Sequence, residues 1–365
     1  IQAEVASRIA GGFANANDEI VENIIHDTLY HERLRLEKDT TPRSKNDRQF
    51  YQGIRKKMQH ASSADLRTIL HQLAQYFVAE VVGNFDERVY RLSTNVIPAG
   101  LSLLLNAMSP ARLLSLDTLK QGLAEQLVIQ GAVDKARSLL DKGTLVVVPT
   151  HSSNLDSILL GYAVYLAGLP PLLYGAGLNL FSNPLMSFFM RNLGAYRVDR
   201  MKTASLYKDV LKQYAQCSLE MGYHNLFFPG GTRSRSGEVE QKLKRGLLGT
   251  AINAYVHNLQ AQKEKPNIYL IPATLSYKLV LEAETLIGDH LKAVGKSRYI
   301  IEDDEFSKPR RILNFMSNAV SLEEKIVLTF SEPLDIFGNR VDAEGRSLDP
   351  RGRFVDPKGY VCRAG

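Results

Sequence analysis

The sequence predicts an α/β protein with a mostly parallel central sheet flanked by helices, and with an N-terminal helical domain in front of it. Short apolar, β-branched runs at 145–148, 226–228 and 268–271 predict buried strands. Helical patterns at 157–166 and 204–219 separate these strands. Because strands that alternate with helices pair in parallel through crossover connections, the active residues are expected where the strands end.

The domain organisation follows from changes in residue pattern along the chain. A helical pattern runs from about residue 10 onwards and predicts a helical domain at 1–135, followed by an α/β domain at 136–335. Residues 336–365 contain many Gly, Asp, Arg and Pro and too few apolar residues for a core of their own, so we expect a polar tail or the continuation of a longer protein. No internal repeat is recognised. In the clearest helix, 64–82, apolar residues recur every three or four positions: Leu66, Ile69, Leu70, Leu73, Tyr76 and Phe77.

Composition excludes several classes of protein. Cys217 and Cys362 are the only cysteines and lack metal-ligand spacing, so we expect neither a disulfide framework nor a zinc site, and a cytoplasmic location. No secretory signal is recognised at the start. The net charge of +6 favours anionic partners such as phosphate substrates, acidic carrier proteins and lipid headgroups. Nucleic acid is not expected, because the basic residues are dispersed, Trp is absent and no nucleic-acid-binding motif occurs.

Two apolar segments bear on membranes. Residues 157–190 carry no charge but are interrupted by Pro and Gly, so we expect them to be buried, to line an acyl pocket or to dip into one leaflet. Residues 97–105 and 111–114 place apolar side chains beside a positive charge. A peripheral contact with a membrane surface is therefore expected in addition to the soluble fold.

The first candidate for catalysis follows the strand at 145–148. His151 comes directly after this strand, and Asp156 lies five positions later at the start of a helical pattern. A loop of this length lets the Asp156 carboxylate accept the Nδ1 proton of His151, which leaves Nε2 to take a proton from a substrate hydroxyl. By itself the spacing favours a structural contact or a helix cap over a catalytic pair. Ser152 and Ser153 lack the Gly-x-Ser-x-Gly elbow of serine hydrolases and are interpreted as loop residues or caps.

The second candidate is a segment with glycine and arginine residues that follows the strand at 226–228. Glycine lets backbone N–H groups approach an anion closely, and arginine grips phosphate oxygens through charge-assisted hydrogen bonds. We therefore interpret this segment as an anion cradle, with a basic surface turn as the alternative. Walker A and dinucleotide-binding patterns are absent, which disfavours nucleotide hydrolysis and hydride transfer. The cradle residues are Gly231, Thr232, Arg233 and Arg235.

A third segment, residues 194–200, has the alternation of a short strand. It places Arg197 and Asp199 on one face and Val198 and Arg200 on the other. Arg200 can join the phosphate site, whereas an exposed ion pair among these residues would have no function and little effect on stability.

Taken together and in order, these segments resemble the four sequence blocks of the glycerolipid acyltransferase superfamily. The block His-x4-Asp is similar to 151–156, Gly-x-x-x-Ile-x-Arg to 194–200, Phe-Pro-Glu-Gly-Thr-Arg-Ser to 228–234, and the strand ending in proline to 268–272. The resemblance covers about residues 140–290. Features at 176–179 and 233–237 are similar to the branch that acylates glycerol 3-phosphate and dihydroxyacetone phosphate.

The resemblance implies a function and the residues that carry it. It implies transfer of an acyl group from acyl-CoA or acyl-carrier protein to glycerol 3-phosphate, with no metal or redox cofactor and no covalent acyl-enzyme. His151 is then the general base and Asp156 orients it. The cradle and Arg200 hold the acceptor phosphate. The acceptor or acyl pocket is assigned to Asn179, Arg197 and Pro272.

One position departs from the superfamily pattern. Gly230 stands where most members carry glutamate, as it also does in the soluble plastid glycerol-3-phosphate acyltransferases. The acceptor therefore remains open, with lysophosphatidate as an alternative to glycerol 3-phosphate. A lipid-binding protein with weak catalysis is the second alternative.

Overall fold

A computed structural model describes residues 1–39, 42–105, 127–153, 156–181, 184–231, 234, 243, 245–277 and 325–361. Within these residues no helix combines the length and the apolar character needed to cross a membrane. The helices are α1 (Gln2–Gly12), α2 (Asp18–Lys38), α3 (Pro42–Met58), α4 (Ser63–Val81), α5 (Glu87–Leu105), α6 (Val133–Ser138), α7 (Asp156–Leu166), α8 (Pro184–Asn192), α9 (Ser205–Glu220), α10 (Arg245–Leu248) and α11 (Thr250–Gln260). The strands are β1 (Leu127–Gly131), β2 (Gly143–Pro149), β3 (Leu173–Gly177), β4 (Ala195–Val198), β5 (Asn225–Leu226), β6 (Asn267–Ser276), β7 (Ile326–Phe330), β8 (Leu334–Asp335), β9 (Arg340–Val341), β10 (Ser347–Leu348) and β11 (Phe354–Val355).

The strands form one mixed sheet in the order β11-β10-β9-β8-β6-β2-β5-β3-β4, and β7 joins β1 to β6. Neighbouring strands from β6 to β4 along this order pair in parallel, as do β1 and β7. The strands from β7 onwards add antiparallel pairs at the other side of β6. The predicted fold class, a mostly parallel sheet flanked by helices, is confirmed.

Alternate residues of β2 enter two different cores, which shows that helices cover both faces of the sheet. Leu145 and Val147 pack in the core that contains Leu159 and Leu160 of α7. Val146, between them, packs in the core that contains residues of α11 and the end of α9. A strand that is buried on both faces has a continuous apolar sequence, which is why 145–148 was recognisable.

The N-terminal helices pack against α9, so they share a core with the α/β part of the chain. The predicted helix 64–82 is α4, which begins with a capping box between Ser62 and Asp65. Its buried face meets α9, and the ring of Phe77 lies edge-on to the ring of Tyr207 at 5.3 Å. The core of the helical region is therefore completed by the helix that follows β4.

Two elements differ from the pattern expected from the sequence. The helical pattern expected up to about residue 135 ends earlier, because β1 pairs in parallel with β7. The strand expected to end at Pro272 continues to Ser276. Proline is tolerated there because the Pro272 carbonyl, which accepts from Ser331 N–H at 2.8 Å, points into the gap between β7 and β8. The N–H and C=O groups of one strand residue point to the same side. The proline nitrogen, which lacks a hydrogen, therefore faces the same gap and leaves no strand without a donor.

The segment from 336 onwards, for which we expected no core of its own, adds short strands to the edge of the sheet. It contains a seven-residue repeat that the sequence analysis missed. In each repeat an aspartate carboxylate accepts backbone N–H bonds from its own turn, and a glycine follows three residues later. The first three of these glycines have φ between 76° and 91°. The repeated pairs are Asp335 and Gly338, Asp342 and Gly345, Asp349 and Gly352, and Asp356 and Gly359.

A half-buried histidine supports the edge of the sheet opposite the carboxyl ends of its parallel strands. His224 precedes β5, and its Nδ1 accepts the Leu145 N–H at 2.9 Å. Its backbone carbonyl accepts the Leu173 N–H at 2.8 Å, so the residue links β2, β3 and β5. Burial lowers the pKa of His224 to about 4. The imidazole is therefore a neutral acceptor in the folded protein at neutral pH.

This burial predicts a loss of stability in weak acid. At pH values between the ordinary pKa of histidine, about 6.5, and the folded value, the unfolded chain binds a proton that the folded chain does not bind. The free energy of unfolding therefore decreases as the pH is lowered through this range, by about 3 kcal/mol at most. His224→Gln is expected to flatten this dependence. Urea unfolding midpoints at pH 7.5, 6.5, 5.5 and 4.5 measure it, with the exposed His60→Gln as control. An unchanged pH dependence in His224→Gln would contradict the assignment.

Candidate active site

The predicted site segments follow neighbouring parallel strands. His151 follows β2, Arg200 follows β4, and the glycine segment ending at Gly231 follows β5. Asn179 lies in the 3-10 turn Leu178–Phe181 directly after β3. Because the carboxyl ends of parallel strands meet at one edge of a sheet, all four segments lie along the same edge, where α/β proteins bind their ligands.

The loop after β2 folds back so that His151 and Asp156 form the predicted hydrogen bond. The Nδ1 atom of His151 lies 2.8 Å from Oδ2 of Asp156. The same oxygen accepts the backbone N–H groups of Ser152 at 2.7 Å and Ser153 at 2.9 Å. The Asp156 side chain is completely buried, whereas 18% of the His151 side chain is exposed. An ionised carboxylate only accepts, so Nδ1 carries the proton and Nε2 is the acceptor.

Tyr277 supplies the fourth hydrogen bond of this carboxylate. Its hydroxyl donates to the other oxygen of Asp156, Oδ1. Tyr277 directly follows β6, the strand that pairs in parallel with β2. A buried carboxylate is stable only when hydrogen bonds replace its hydration, and here the donors come from the loop, from His151 and from the neighbouring strand.

Backbone pairing fixes the residue that precedes His151. The Thr150 N–H donates to the Ala273 carbonyl at 3.1 Å, and the Thr150 hydroxyl accepts the Leu275 N–H at 3.2 Å. The end of β2 is thus bonded to β6 up to the position before the histidine. This pairing leaves little freedom for the imidazole to move away from Asp156.

The segment after β5 covers the other side of the histidine. The ring of Phe228 stacks on the imidazole of His151, with ring centres 4.1 Å apart and an angle of 26° between the planes. The Ser234 N–H donates to the His151 carbonyl at 2.7 Å. The two predicted site segments are therefore in direct contact.

A tight turn brings Arg200 to this segment. The Gly231 N–H donates to the Phe228 carbonyl at 3.0 Å, and Gly231 has a φ of +69°, which glycine adopts without strain. The exposed Arg200 donates from Nη2 to the Gly231 carbonyl at 2.8 Å. Phe228, Gly231 and Arg200 thus connect the histidine to a guanidinium group through consecutive contacts.

The remaining predicted site residues fall into two groups. Arg197 lies in β4, half-buried and in register with Ala176, and the strand ends at Val198, so Asp199 and Arg200 belong to the following turn. Pro272 lies within β6 rather than at its end. Outside the described residues lie Thr232, Arg233 and Arg235.

The part of the chain that holds this site is similar to a known protein family. Residues 130–276 match the protein family described as Acyltransferase. These residues include the histidine, its carboxylate partner and both neighbouring segments. Over these residues the chain is similar to the acyltransferase domains of the glycerolipid acyltransferase superfamily.

Three relatives of this chain are named glycerol-3-phosphate acyltransferase. That of Aeromonas hydrophila is 35% identical over 212 residues, which are 58% of this chain and 24% of that protein. That of Baumannia cicadellinicola is 33% identical over 171 residues, covering 46% and 20%. That of Pseudomonas syringae is 31% identical over 159 residues, covering 43% and 18%. The chain thus matches a quarter or less of the length of these relatives.

A solved structure also matches, more weakly. The crystal structure of the 1-acyl-sn-glycerophosphate acyltransferase from Thermotoga maritima is 16% identical, covers 68% of this chain and 89% of its own, and has a TM-score of 0.33.

Two residues that touch the dyad were missed as site residues in the sequence. Tyr277 was missed because the strand was expected to end at Pro272, five residues before it. The signal for Tyr277 in the sequence was a polar aromatic residue at the end of an alternating run. This run is β6, which pairs with β2, the strand that His151 follows. Phe228 was recognised as part of a block but not as a ring that contacts the histidine.

Within the described part of the chain, no group of three or more His, Cys, Asp or Glu is arranged to hold a metal ion.

The hydroxyl of Tyr277 is expected to contribute measurably to stability. Tyr277→Phe removes one of the four hydrogen bonds to a buried charge, a loss of roughly 1.5–3 kcal/mol in the free energy of unfolding. Urea unfolding at pH 7.5 measures it. Tyr30→Phe, which removes an exposed hydroxyl, is the matched control. Equal stability of the two variants would show that the hydroxyl does not bond the carboxylate.

Proposed function

We propose that this chain transfers a fatty acyl group from acyl-CoA or acyl-carrier protein to a hydroxyl of glycerol 3-phosphate in phospholipid biosynthesis. The observation that carries the proposal is the His151–Asp156 pair in contact with a glycine turn and Arg200. Such an arrangement offers a general base beside groups that bind an anion. The names of the relatives support the same reaction.

The proposed mechanism is a single displacement without a covalent acyl-enzyme. Nε2 of His151 takes the proton of the acceptor hydroxyl, and the oxygen attacks the thioester carbonyl carbon. The tetrahedral oxyanion collapses, the C–S bond breaks and the thiolate leaves. Asp156 holds the imidazole in the reactive tautomer and stabilises the imidazolium that forms. The four hydrogen bonds to Asp156 keep its carboxylate in this role.

The proposed acceptor site begins at the turn beside the histidine. The exposed Arg200, which bonds the Gly231 carbonyl, is the proposed phosphate ligand, and the resemblance adds Gly231, Thr232, Arg233 and Arg235. Gly230 is buried in this turn and brings no carboxylate to it. A binding site without that negative charge favours a dianionic acceptor such as glycerol 3-phosphate.

The decisive assay measures thiol release from acyl-CoA with glycerol 3-phosphate, with lysophosphatidate and without acceptor. We expect release that depends on glycerol 3-phosphate, and a kcat about 10²–10⁴ times lower in His151→Ala, because the general base is lost. The exposed His60→Ala is the matched control and should retain the activity.

Each other outcome changes the assignment in a defined way. Dependence on lysophosphatidate would move the acceptor to the alternative substrate. Release without acceptor would indicate a hydrolase. Silence with acyl-CoA followed by activity with acyl-carrier protein would fix the donor, and silence with both donors would favour the lipid-binding alternative.

We further propose that the protein contacts anionic membranes through a patch on α5, α7, α8 and the segment before α5. The patch lies where α5 packs against α7 and α8. Exposed arginines, Arg88 and Arg191, stand beside it and suit anionic headgroups. Residues 111–114, expected to contribute, lie outside the described residues. The exposed apolar side chains of the patch are Phe85, Leu92, Val96, Tyr165, Leu166 and Phe188.

Vesicle flotation tests this contact. The native chain is expected to float with vesicles rich in phosphatidylglycerol more than with pure phosphatidylcholine vesicles. Leu92→Asp combined with Phe188→Asp should lower the bound fraction at least about fivefold, because charged side chains resist burial at the acyl boundary. Ile20→Asp, a change at an equally exposed residue of α2, is the control. Equal losses in the two variants would exclude the patch.

A further inference from the structure

The turn that carries Arg200 is attached to the N-terminal helix α2. This turn connects β4 to α9 and spans residues 199–204. Thr203 Oγ1 lies 2.9 Å from Nδ1 of His31 on α2. At the start of α9, Ser205 donates from its backbone N–H at 3.0 Å and its hydroxyl at 2.8 Å to the Asp27 carboxylate. Residues about 170 positions apart thus fix the end of the turn.

The central attachment is Lys202, whose ammonium group is buried. Only 2% of its side chain is exposed, and Nζ lies 3.0 Å from Oε2 of Glu32 and 2.9 Å from Oε2 of Glu80. Three aromatic rings surround the ammonium group, the nearest that of Phe77 at 4.9 Å. A buried cation is stable only beside its partners, so these carboxylates define one position for the Lys202 side chain.

One of these carboxylates, that of Glu32, is itself held by a buried network within the helical region. Arg35 pairs with Glu32 at 2.8 Å and with Asp47. Burial would raise the pKa of Asp47, but hydrogen bonds from Tyr76 and Arg35 outweigh it and keep the pKa below its ordinary value. Lys202 is therefore part of a network of charges that extends over α2, α3 and α4.

The residues around Arg200 are fixed from both sides. The Asp199 N–H donates to the hydroxyl of Tyr207 at 2.8 Å, and the Asp199 carboxylate accepts the Met201 N–H at 2.9 Å. Arg200 itself donates to the Gly231 carbonyl. Arg200 is thus placed between a turn anchored in the helical region and the glycine turn of the site.

We infer that Lys202 is a positioning residue for the acceptor site: the N-terminal helices hold the 199–204 turn through Lys202 and thereby keep Arg200 against the Gly231 turn. This inference rests on the proposed function, in which Arg200 binds the acceptor phosphate. It assigns the helical region a part in binding the acceptor.

Steady-state kinetics of the full chain test the inference. Lys202→Met keeps the apolar contacts and removes the charge, so the turn loses its anchor. We expect the KM for glycerol 3-phosphate to rise about tenfold while the KM for the acyl donor stays the same and kcat changes less than about threefold. Arg200→Ala should raise the same KM at least as much.

Two further variants separate positioning from general destabilisation. Arg8→Leu breaks the buried pair between α1 and Glu220 of α9, with 2.7 Å between Nη2 and Oε2, and touches no residue of the turn. It should lower the melting temperature and leave the KM for glycerol 3-phosphate unchanged. Tyr207→Phe removes only the contact with the Asp199 N–H and should raise this KM about threefold even if Lys202→Met does not fold.

The outcomes are distinguishable. A raised KM in Arg200→Ala with normal values in Lys202→Met and Tyr207→Phe would overturn the inference and leave the proposed function intact. An equal rise in Arg8→Leu would overturn it as well, because the effect would then follow stability. A normal KM in Arg200→Ala would remove the phosphate role of Arg200, and the inference with it.

Discussion

The burial of one carboxylate governs the geometry of the site. Asp156 is completely removed from solvent, and such a charge requires donors in place of water. Two donors are backbone N–H groups of its own loop, the third is His151 and the fourth is the hydroxyl of Tyr277. Satisfying them fixes the loop after β2 and the end of β6 at the same time. The orientation of the histidine is thus a consequence of sheet pairing as much as of the His-x4-Asp spacing.

The negative charge and the positive charge of the site lie in separate places. The negative charge lies beneath the histidine, buried, whereas the guanidinium of Arg200 lies at the exposed side beside the glycine turn. Gly230, where most of the superfamily carries glutamate, adds no second carboxylate to that turn. In the proposed function, a phosphate acceptor therefore meets no carboxylate from position 230.

Local pattern was sufficient for the parts of the fold that depend on neighbouring residues. The strand at 145–148, the helix at 64–82 and the contact between His151 and Asp156 were predictable because each involves a short segment. The aspartate and glycine repeat beyond residue 335 was missed, since its period of seven comes from turns and leaves no apolar signature. Its aspartates cap turns through hydrogen bonds from backbone N–H groups.

Contacts between distant segments could not be predicted from the sequence. Lys202 carries no mark that distinguishes it from an exposed lysine, because its partners Glu32 and Glu80 lie more than 120 positions earlier in the chain. Breaking such a pair leaves a buried charge uncompensated, which makes the arrangement costly to change once α2 and α4 pack on α9. Apolar side chains could join the N-terminal helices to the turn before α9 without desolvating three charges. A buried lysine two residues from Arg200 is therefore not explained by packing alone. Its position is better explained by the need to hold one short turn in a single conformation.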